Sequence, residues 1–204
     1  MHGVGPGQSA AAAKTALRDQ ILTARGRRSL LEQREDADAI AHHLLESLPV
    51  RRAATVAAYV SVGREPGTGP LLDGLRAAGK RVVVPVLLGD NDLDWSVYAG
   101  PDALVSGGRG TLEPDGPRLG LDSIGTADVV ITPGLAVSAE GHRLGRGGGS
   151  YDRVLGRVPV GTFTCTLLYE GEWPVEVPLD PHDRPVTAVA TPRGVSACRR
   201  PRPA

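Results

Sequence analysis

The chain has 204 residues and no formal net charge, with 23 Lys plus Arg balancing 23 Asp plus Glu. That length suits one domain with a substantial core, and the charge balance gives no overall field to draw it to nucleic acid or a membrane surface. No apolar run approaches the roughly 20 residues needed to cross a bilayer, the start lacks the basic-then-apolar order of a signal peptide, and two cysteines, Cys165 and Cys198, give no disulfide framework. A cytoplasmic protein with no nucleic-acid or membrane partner is expected, as a monomer or weak dimer.

Residues 1–9, rich in Gly and small polar side chains, are expected to be disordered. From Ala10 to about Arg25, Leu17, Ile21, Leu22 and Ala24 share one face of a helix. A second helix is predicted from Ser29 to Ser47, with Ser29 as N-cap and Glu32 at the capping-box spacing. Thr55–Val60 reads as a buried strand, Thr68–Gly79 as a short helix stopped by glycine, and Arg81–Val86 as a second strand. Strand, helix, strand with short loops is a βαβ unit, which implies a parallel sheet covered by helices.

Leu93–Tyr98 reads as a further strand, and residues 99–125, rich in Gly, Pro and Asp, as an irregular excursion. Ala127–Thr132 is a third strong strand, ended by Pro133-Gly134; Leu135–Val137 is a short apolar segment after it. Tyr151–Val158 is helical in pattern, and Thr162–Leu168 and Val186–Thr191 are later strands. The expected fold class is α/β: one domain over residues 10–195, a mostly parallel central sheet flanked by helices in a Rossmann-like three-layer arrangement. Residues 196–204 form a basic, Pro-rich tail expected to fray.

The stretch Gly141-His-Arg-Leu-Gly-Arg-Gly-Gly-Gly-Ser-Tyr-Asp152 follows a strand and precedes a helix. Backbone N–H groups in that setting can face an anion, and the glycines allow close approach and positive φ. Arg143 and Arg146 add guanidinium groups that bind phosphate oxygens through paired donors. Asp152 follows closely enough to serve a metal ion bridging those phosphates. The same composition also suits a surface loop whose arginines are merely hydrated, and the spacing is neither a Rossmann fingerprint nor a P-loop.

Together with Pro133-Gly-Leu-Ala-Val137, this stretch resembles the signature of 5-formyltetrahydrofolate cyclo-ligases, also called methenyltetrahydrofolate synthetases, which runs roughly P-G/A-L-A-F-D-x-x-G-x-R-L-G-x-G-x-G-Y-Y-D. The resemblance extends over about residues 12–192. Lys14-Thr-Ala-Leu-Arg18 resembles the family's K-x-x-L-R. Tyr59-Val-Ser-Val-Gly-Arg-Glu-Pro-Gly-Thr68 resembles Y-x-S-x-x-x-E-x-x-T, Glu113-Pro114 a short E-P element, and Leu179-Asp-Pro-His-Asp183 the acidic residue before the last strand. The chain departs from the pattern at Ser150, where the first Tyr of Tyr-Tyr-Asp is usual, and at Val137-Ser138, where Phe-Asp is usual.

The resemblance implies an ATP site of Lys14, Arg18, Arg143, Leu144, Gly145, Arg146, Gly147, Gly148, Gly149, Ser150 and Tyr151. It implies a folate site of Val60 and Glu65 with Arg146, Gly147, Gly148, Gly149, Ser150 and Tyr151. Arg146 and Tyr151 would be catalytic, and Asp152 and Asp183 would hold Mg²⁺. The implied reaction converts 5-formyltetrahydrofolate and ATP to 5,10-methenyltetrahydrofolate, ADP and phosphate. Two other readings compete: an ATP-dependent phosphotransferase with a non-folate substrate, and a non-catalytic nucleotide- or folate-binding regulator.

Overall fold

A computed structural model describes residues 6–179 and 183–199. Helix α1 spans Pro6–Gly26 and so takes in part of the segment expected to be disordered. Proline fits the first helical turn, and Ala10–Ala13 carry strong helix propensity back toward it. Residues 1–5 of that segment, and 200–204 of the tail, lie outside the described residues. Helix α2, Leu30–Glu46, has the expected capping box. The Ser29 N–H donates to Glu32 Oε2 at 2.7 Å, and the Glu32 N–H donates to Ser29 Oγ at 3.2 Å. A short helix α3, Leu48–Arg52, follows.

The expected βαβ unit is present: β1 (Thr55–Ala57), α4 (Gly69–Ala77) and β2 (Arg81–Leu87), with β1 and β2 parallel. Strand β1 stops at Ala57, three residues short of the expected end, because the chain turns there into a clamped loop described below. Strand β3 (Leu93–Val97) returns antiparallel to β2. The segment 99–125 contains a two-stranded ribbon, β4 (Leu104–Ser106) with β5 (Leu112–Pro114), among 3-10 turns. Strand β6 is Val129–Pro133, and a second ribbon pairs β7 (Ala136–Val137) with β8 (Arg143–Leu144). Helix α5 (Ser150–Arg157) and strands β9 (Phe163–Leu167), β10 (Ala188–Thr191) and β11 (Gly194–Ala197) complete the chain. Strand β11 draws residues 196 and 197 into the sheet, because a tight turn at Pro192-Arg193, followed by Gly194 at φ +146°, folds it antiparallel onto β10.

The seven-stranded sheet has the order β11-β10-β9-β6-β1-β2-β3. Its five inner strands are parallel and both edge strands antiparallel. Period-two alternation sends side chains to both faces. Val82, Val84, Val129 and Ile131 meet Ile40, Leu44, Leu71 and Leu75 of α2 and α4. Val83 and Val130 meet Trp95, Ile124 and Val154 on the other face. Burial on both faces explains the continuous apolar runs of β2 and β6.

From β1 the chain passes to β2 on one side, and later strands β6, β9 and β10 fill the other. The order reverses between β1 and β6, and in open α/β sheets that reversal opens a crevice beyond the carboxyl ends of the strands.

Candidate active site

A cleft of about 1200 Å³ occupies that crevice, and every site candidate named from the sequence borders it. Its walls come from distant parts of the chain.

Helix α1 supplies one wall. Lys14 and Arg18 lie one turn apart, and the repulsion expected between them is offset by separate partners. Lys14 Nζ donates to Asp183 Oδ2 at 2.8 Å, and Arg18 Nε donates to the Gly145 carbonyl at 2.8 Å. Leu17 and Ile21 anchor this helix on Leu135, Ala136, Leu144 and Val177, over the β7–β8 ribbon.

The Gly-rich loop forms the next wall. Gly147 (φ +101°) and Gly149 (φ +70°) take left-handed backbone, which costs an L side chain roughly 1–2 kcal/mol. Gly149 leads directly into α5, so Ser150, Tyr151 and Asp152 form the first turn of that helix, the end that favours anions. Leu144 is a buried anchor on β8. Ser138, standing where the family pattern has Asp, accepts the N–H groups of Glu140 and His142, each at 3.2 Å. The turn before Arg143 is therefore held by a hydroxyl in place of a carboxylate.

Arg143 is buried. Nη1 donates to the Pro133 carbonyl and Nη2 to Asp152 Oδ1, both at 3.2 Å, while Nε has no acceptor among the described residues. Burial lowers its pKa from the ordinary value, opposed by the charges of Asp152 and Asp183 among others. Of the two expected metal carboxylates, Asp152 thus contacts this guanidinium and Asp183 accepts from Lys14. Carboxylates are the hard oxygen donors Mg²⁺ takes, and it usually keeps several waters and binds through one or two of them plus phosphates, so Asp152 and Asp183 are the residues that could hold it. Among the described residues no cluster of three or more His, Cys, Asp or Glu forms a self-sufficient metal cage.

The third wall is the loop after β1. Ser61 N–H donates to Thr68 Oγ1 at 2.9 Å and Thr68 N–H donates to Ser61 Oγ at 3.0 Å, a reciprocal clamp across its neck. Inside the loop, the Val62 N–H donates to Glu65 Oε2 at 3.0 Å. Burial raises the Glu65 pKa above its ordinary value, opposed by the Val62 N–H and by Arg146 and Arg25. Val60 packs against the core beside it. Arg146, half exposed, lies 3.5 Å from Glu65 Oε1 through its Nε and so joins the Gly-rich loop to this wall. Tyr151 Oη is buried without a partner among the described residues, and burial, reinforced by Glu65, raises its pKa. Tyr151 therefore presents a neutral hydroxyl.

Three residues, Arg25, Glu172 and Tyr169, escaped the sequence reading. Arg25, 2% exposed, donates from Nε and Nη2 to the two oxygens of Glu172 at 2.8 and 2.7 Å, and from Nη2 to the Gly134 carbonyl at 2.7 Å. Burial opposes its charge, but the Glu172 contacts and neighbouring charges outweigh it and raise the pKa. Tyr169 lies under the guanidinium, donates its hydroxyl to the Glu65 carbonyl at 3.1 Å and its N–H to Glu172 at 2.8 Å. The available signal was spacing: Arg25 stands eleven residues after Lys14, three turns on, hence on the same helix face. Glu113 of β5 also borders the cleft. It accepts from the Leu87 N–H at 3.1 Å and Thr111 Oγ1 at 2.8 Å, tying the ribbon to β2.

Comparison with known proteins matches this architecture. The profile of the 5-formyltetrahydrofolate cyclo-ligase family covers residues 10–192. A 5-formyltetrahydrofolate cyclo-ligase of Mycolicibacterium smegmatis is 40% identical over 193 residues, 91% of this chain and 97% of that protein. That of Escherichia coli K12 is 34% identical over 173 residues, covering 80% and 92%. The solved 5,10-methenyltetrahydrofolate synthetase of Aquifex aeolicus superposes with a TM-score of 0.78 at 27% identity, covering 94% of this chain and 95% of that one. With profile, relatives and fold agreeing over nearly the whole length, the chain belongs to the 5-formyltetrahydrofolate cyclo-ligase family of enzymes.

Proposed function

We propose that the protein converts 5-formyltetrahydrofolate to 5,10-methenyltetrahydrofolate with ATP and Mg²⁺, releasing ADP and phosphate, as a cytoplasmic monomer or weak dimer. The observation that carries this reading is the junction of two unlike walls in one cleft. Basic side chains and the Gly-rich loop line one side, and Val60, Glu65 and Tyr151 line the other, with Arg146 bridging to Glu65 at 3.5 Å. A volume of about 1200 Å³ exceeds the ~300–1,000 Å³ that holds one drug-sized ligand, as two substrates held side by side require.

In this scheme the formyl oxygen bonds to the γ-phosphorus while the bond from that phosphorus to the ADP oxygen breaks. N10 then attacks the formyl carbon, loses its proton, and phosphate leaves with the former formyl oxygen. Such transfers depend mostly on positioning and charge stabilisation. Lys14, Arg18 and Arg143 neutralise phosphate charge, Arg146 reaches the transferred group, and Glu65 and Tyr151 orient the folate. Mg²⁺ held by Asp152 and Asp183 would supply further charge neutralisation at the phosphates.

The test follows methenyltetrahydrofolate formation by absorbance, with ATP and the metal omitted in turn. Product that needs both supports the proposal. Release of ADP without methenyl product, or binding without either, transfers the site to a different substrate or to regulation. No described helix is long and apolar enough to cross a membrane.

A further inference from the structure

The loop after β1 carries Glu65, and the loop's own hydrogen bonds fix that carboxyl only relative to the loop. The Ser61–Thr68 clamp closes the neck. Within it, the Glu65 N–H donates to the Val62 carbonyl at 3.3 Å, and the Val62 N–H donates to Glu65 Oε2 at 3.0 Å. These bonds join residues 61–68 to one another. They do not set where the loop stands across the cleft from the Gly-rich loop.

Contacts from outside the loop do that. Arg64 Nη1 reaches the Arg28 carbonyl at 2.7 Å on the exposed side, and Tyr59 Oη donates to the Pro66 carbonyl at 3.4 Å. Arg146, half exposed, approaches the Glu65 carboxylate at 3.5 Å. The contact on the Glu65 main chain is the Tyr169 hydroxyl, which donates to its carbonyl at 3.1 Å. Tyr169 is 1% exposed and is not among the residues that border the cleft. Its ring centre lies 5.3 Å from the guanidinium carbon of Arg25 and 4.2 Å from that of Arg28, and its N–H donates to Glu172 at 2.8 Å. The preceding Leu168 N–H donates to the Ala190 carbonyl of β10 at 3.0 Å. The phenol is therefore fixed to the carboxyl ends of β9 and β10, and burial raises its pKa, which keeps the hydroxyl a donor.

Resting on the folate reading above, we infer that Tyr169 is a positioning residue, whose hydroxyl ties the Glu65 main chain to the end of the central sheet and so sets how far the Glu65 carboxylate reaches into the cleft. The effect is confined to one wall. Without the hydroxyl, the loop keeps its neck clamp and its internal bonds but loses the anchor at the residue that faces the folate. Lys14, Arg18 and Arg143, on the walls assigned to the phosphates, are held by Asp183, Gly145, Pro133 and Asp152, none of which Tyr169 touches.

The test is a double-mutant cycle on the full chain. Affinities for 5-formyltetrahydrofolate and for ATP are measured by calorimetry in the parent, Tyr169→Phe, Glu65→Ala and the two changes together. Tyr169→Phe keeps the ring beside both guanidiniums and the main-chain bond to Glu172. It is expected to weaken folate binding by about 3–10-fold, the range for one neutral hydrogen bond, and to leave ATP binding unchanged. In the Glu65→Ala background the same change should cost nothing, because no carboxylate remains to be placed. An equal loss with and without the Glu65 carboxylate, or a loss shared by ATP, would give Tyr169 a general structural role and overturn the proposal. Folate affinity unaltered by Tyr169→Phe would overturn it too. If phenylalanine leaves too large a void for folding, 4-methylphenylalanine, which fills the hydroxyl's place without donating, takes its part in the cycle. A Glu65→Ala protein that binds folate as tightly as the parent overturns the folate reading of this wall, and the placement with it.

Discussion

In the proposed reaction Glu65 faces two opposed requirements. Recognition of a ligand with N–H donors requires a carboxylate, while burial makes the ionised form unfavourable and raises its pKa. The folded protein then holds that proton more readily than the unfolded chain. The associated stability is complete below the ordinary carboxylate pKa and is lost as pH rises through the raised folded value. Glu65→Gln is expected to raise Tm at neutral pH, with the gain vanishing toward about pH 4, while folate affinity falls. Equal Tm values for the two proteins at neutral pH would show that Arg146 and the Val62 N–H fully compensate the burial. Arg146 is the complementary case, half exposed and tied to the rest of the protein by a long contact to Glu65 at 3.5 Å. Arg146→Ala should leave Tm nearly unchanged and lower kcat/KM by about 10²–10³, as for one electrostatic donor; turnover close to the parent's would remove it from the phosphoryl-transfer step. Lys14, Arg18 and Glu65 were legible because motif residues at fixed spacing carry them. Arg25 was not, because a lone arginine in an amphipathic helix ordinarily reads as hydrated, and its partner Glu172 lies 147 residues away.

Among the elements, α1 is held by polar ties as well as by the packing of Leu17 and Ile21. Glu172 joins it through Arg25 to the loop after β9, and Gly134 joins it to the end of β6. Glu172→Ala would leave Arg25 buried with its charge uncompensated, so a loss of about 3–5 kcal/mol is expected, seen as a lower urea midpoint. Helix α2 offers a local contrast. Ser29→Ala removes one side of the capping box and should cost about 1 kcal/mol without affecting KM for either substrate, which chemical denaturation and steady-state kinetics would check together. The larger elements were legible from periodicity: α2 and its cap, the βαβ unit, and the β6 run all follow from alternation and turn signals. The ribbons β4–β5 and β7–β8 were not, since two or three residues per strand hold too few alternations to register a period. Strand β1 was read too long because the apolar residues that follow Ala57, Ala58 to Val60, continue its pattern while leaving the sheet for the loop.

At the scale of the molecule, the cleft is assembled from segments spread between Lys14 and Arg184, so occupancy should be felt throughout. Mg·ATP at a hundred times its Kd is expected to stabilise the protein by about 2.7 kcal/mol and to slow hydrogen exchange in α1 and in residues 145–149 together. Lys14→Ala should abolish most of that gain, and stabilisation that persists in full would place the phosphates elsewhere. The Lys14–Asp183 contact, bridging 169 positions of sequence, also bears on how the protein is made. During synthesis Lys14 is made 169 residues before Asp183. A nascent chain that has exposed the entire Gly-rich loop still has an unfinished wall, and the proposed nucleotide site cannot be complete before Asp183 has been made.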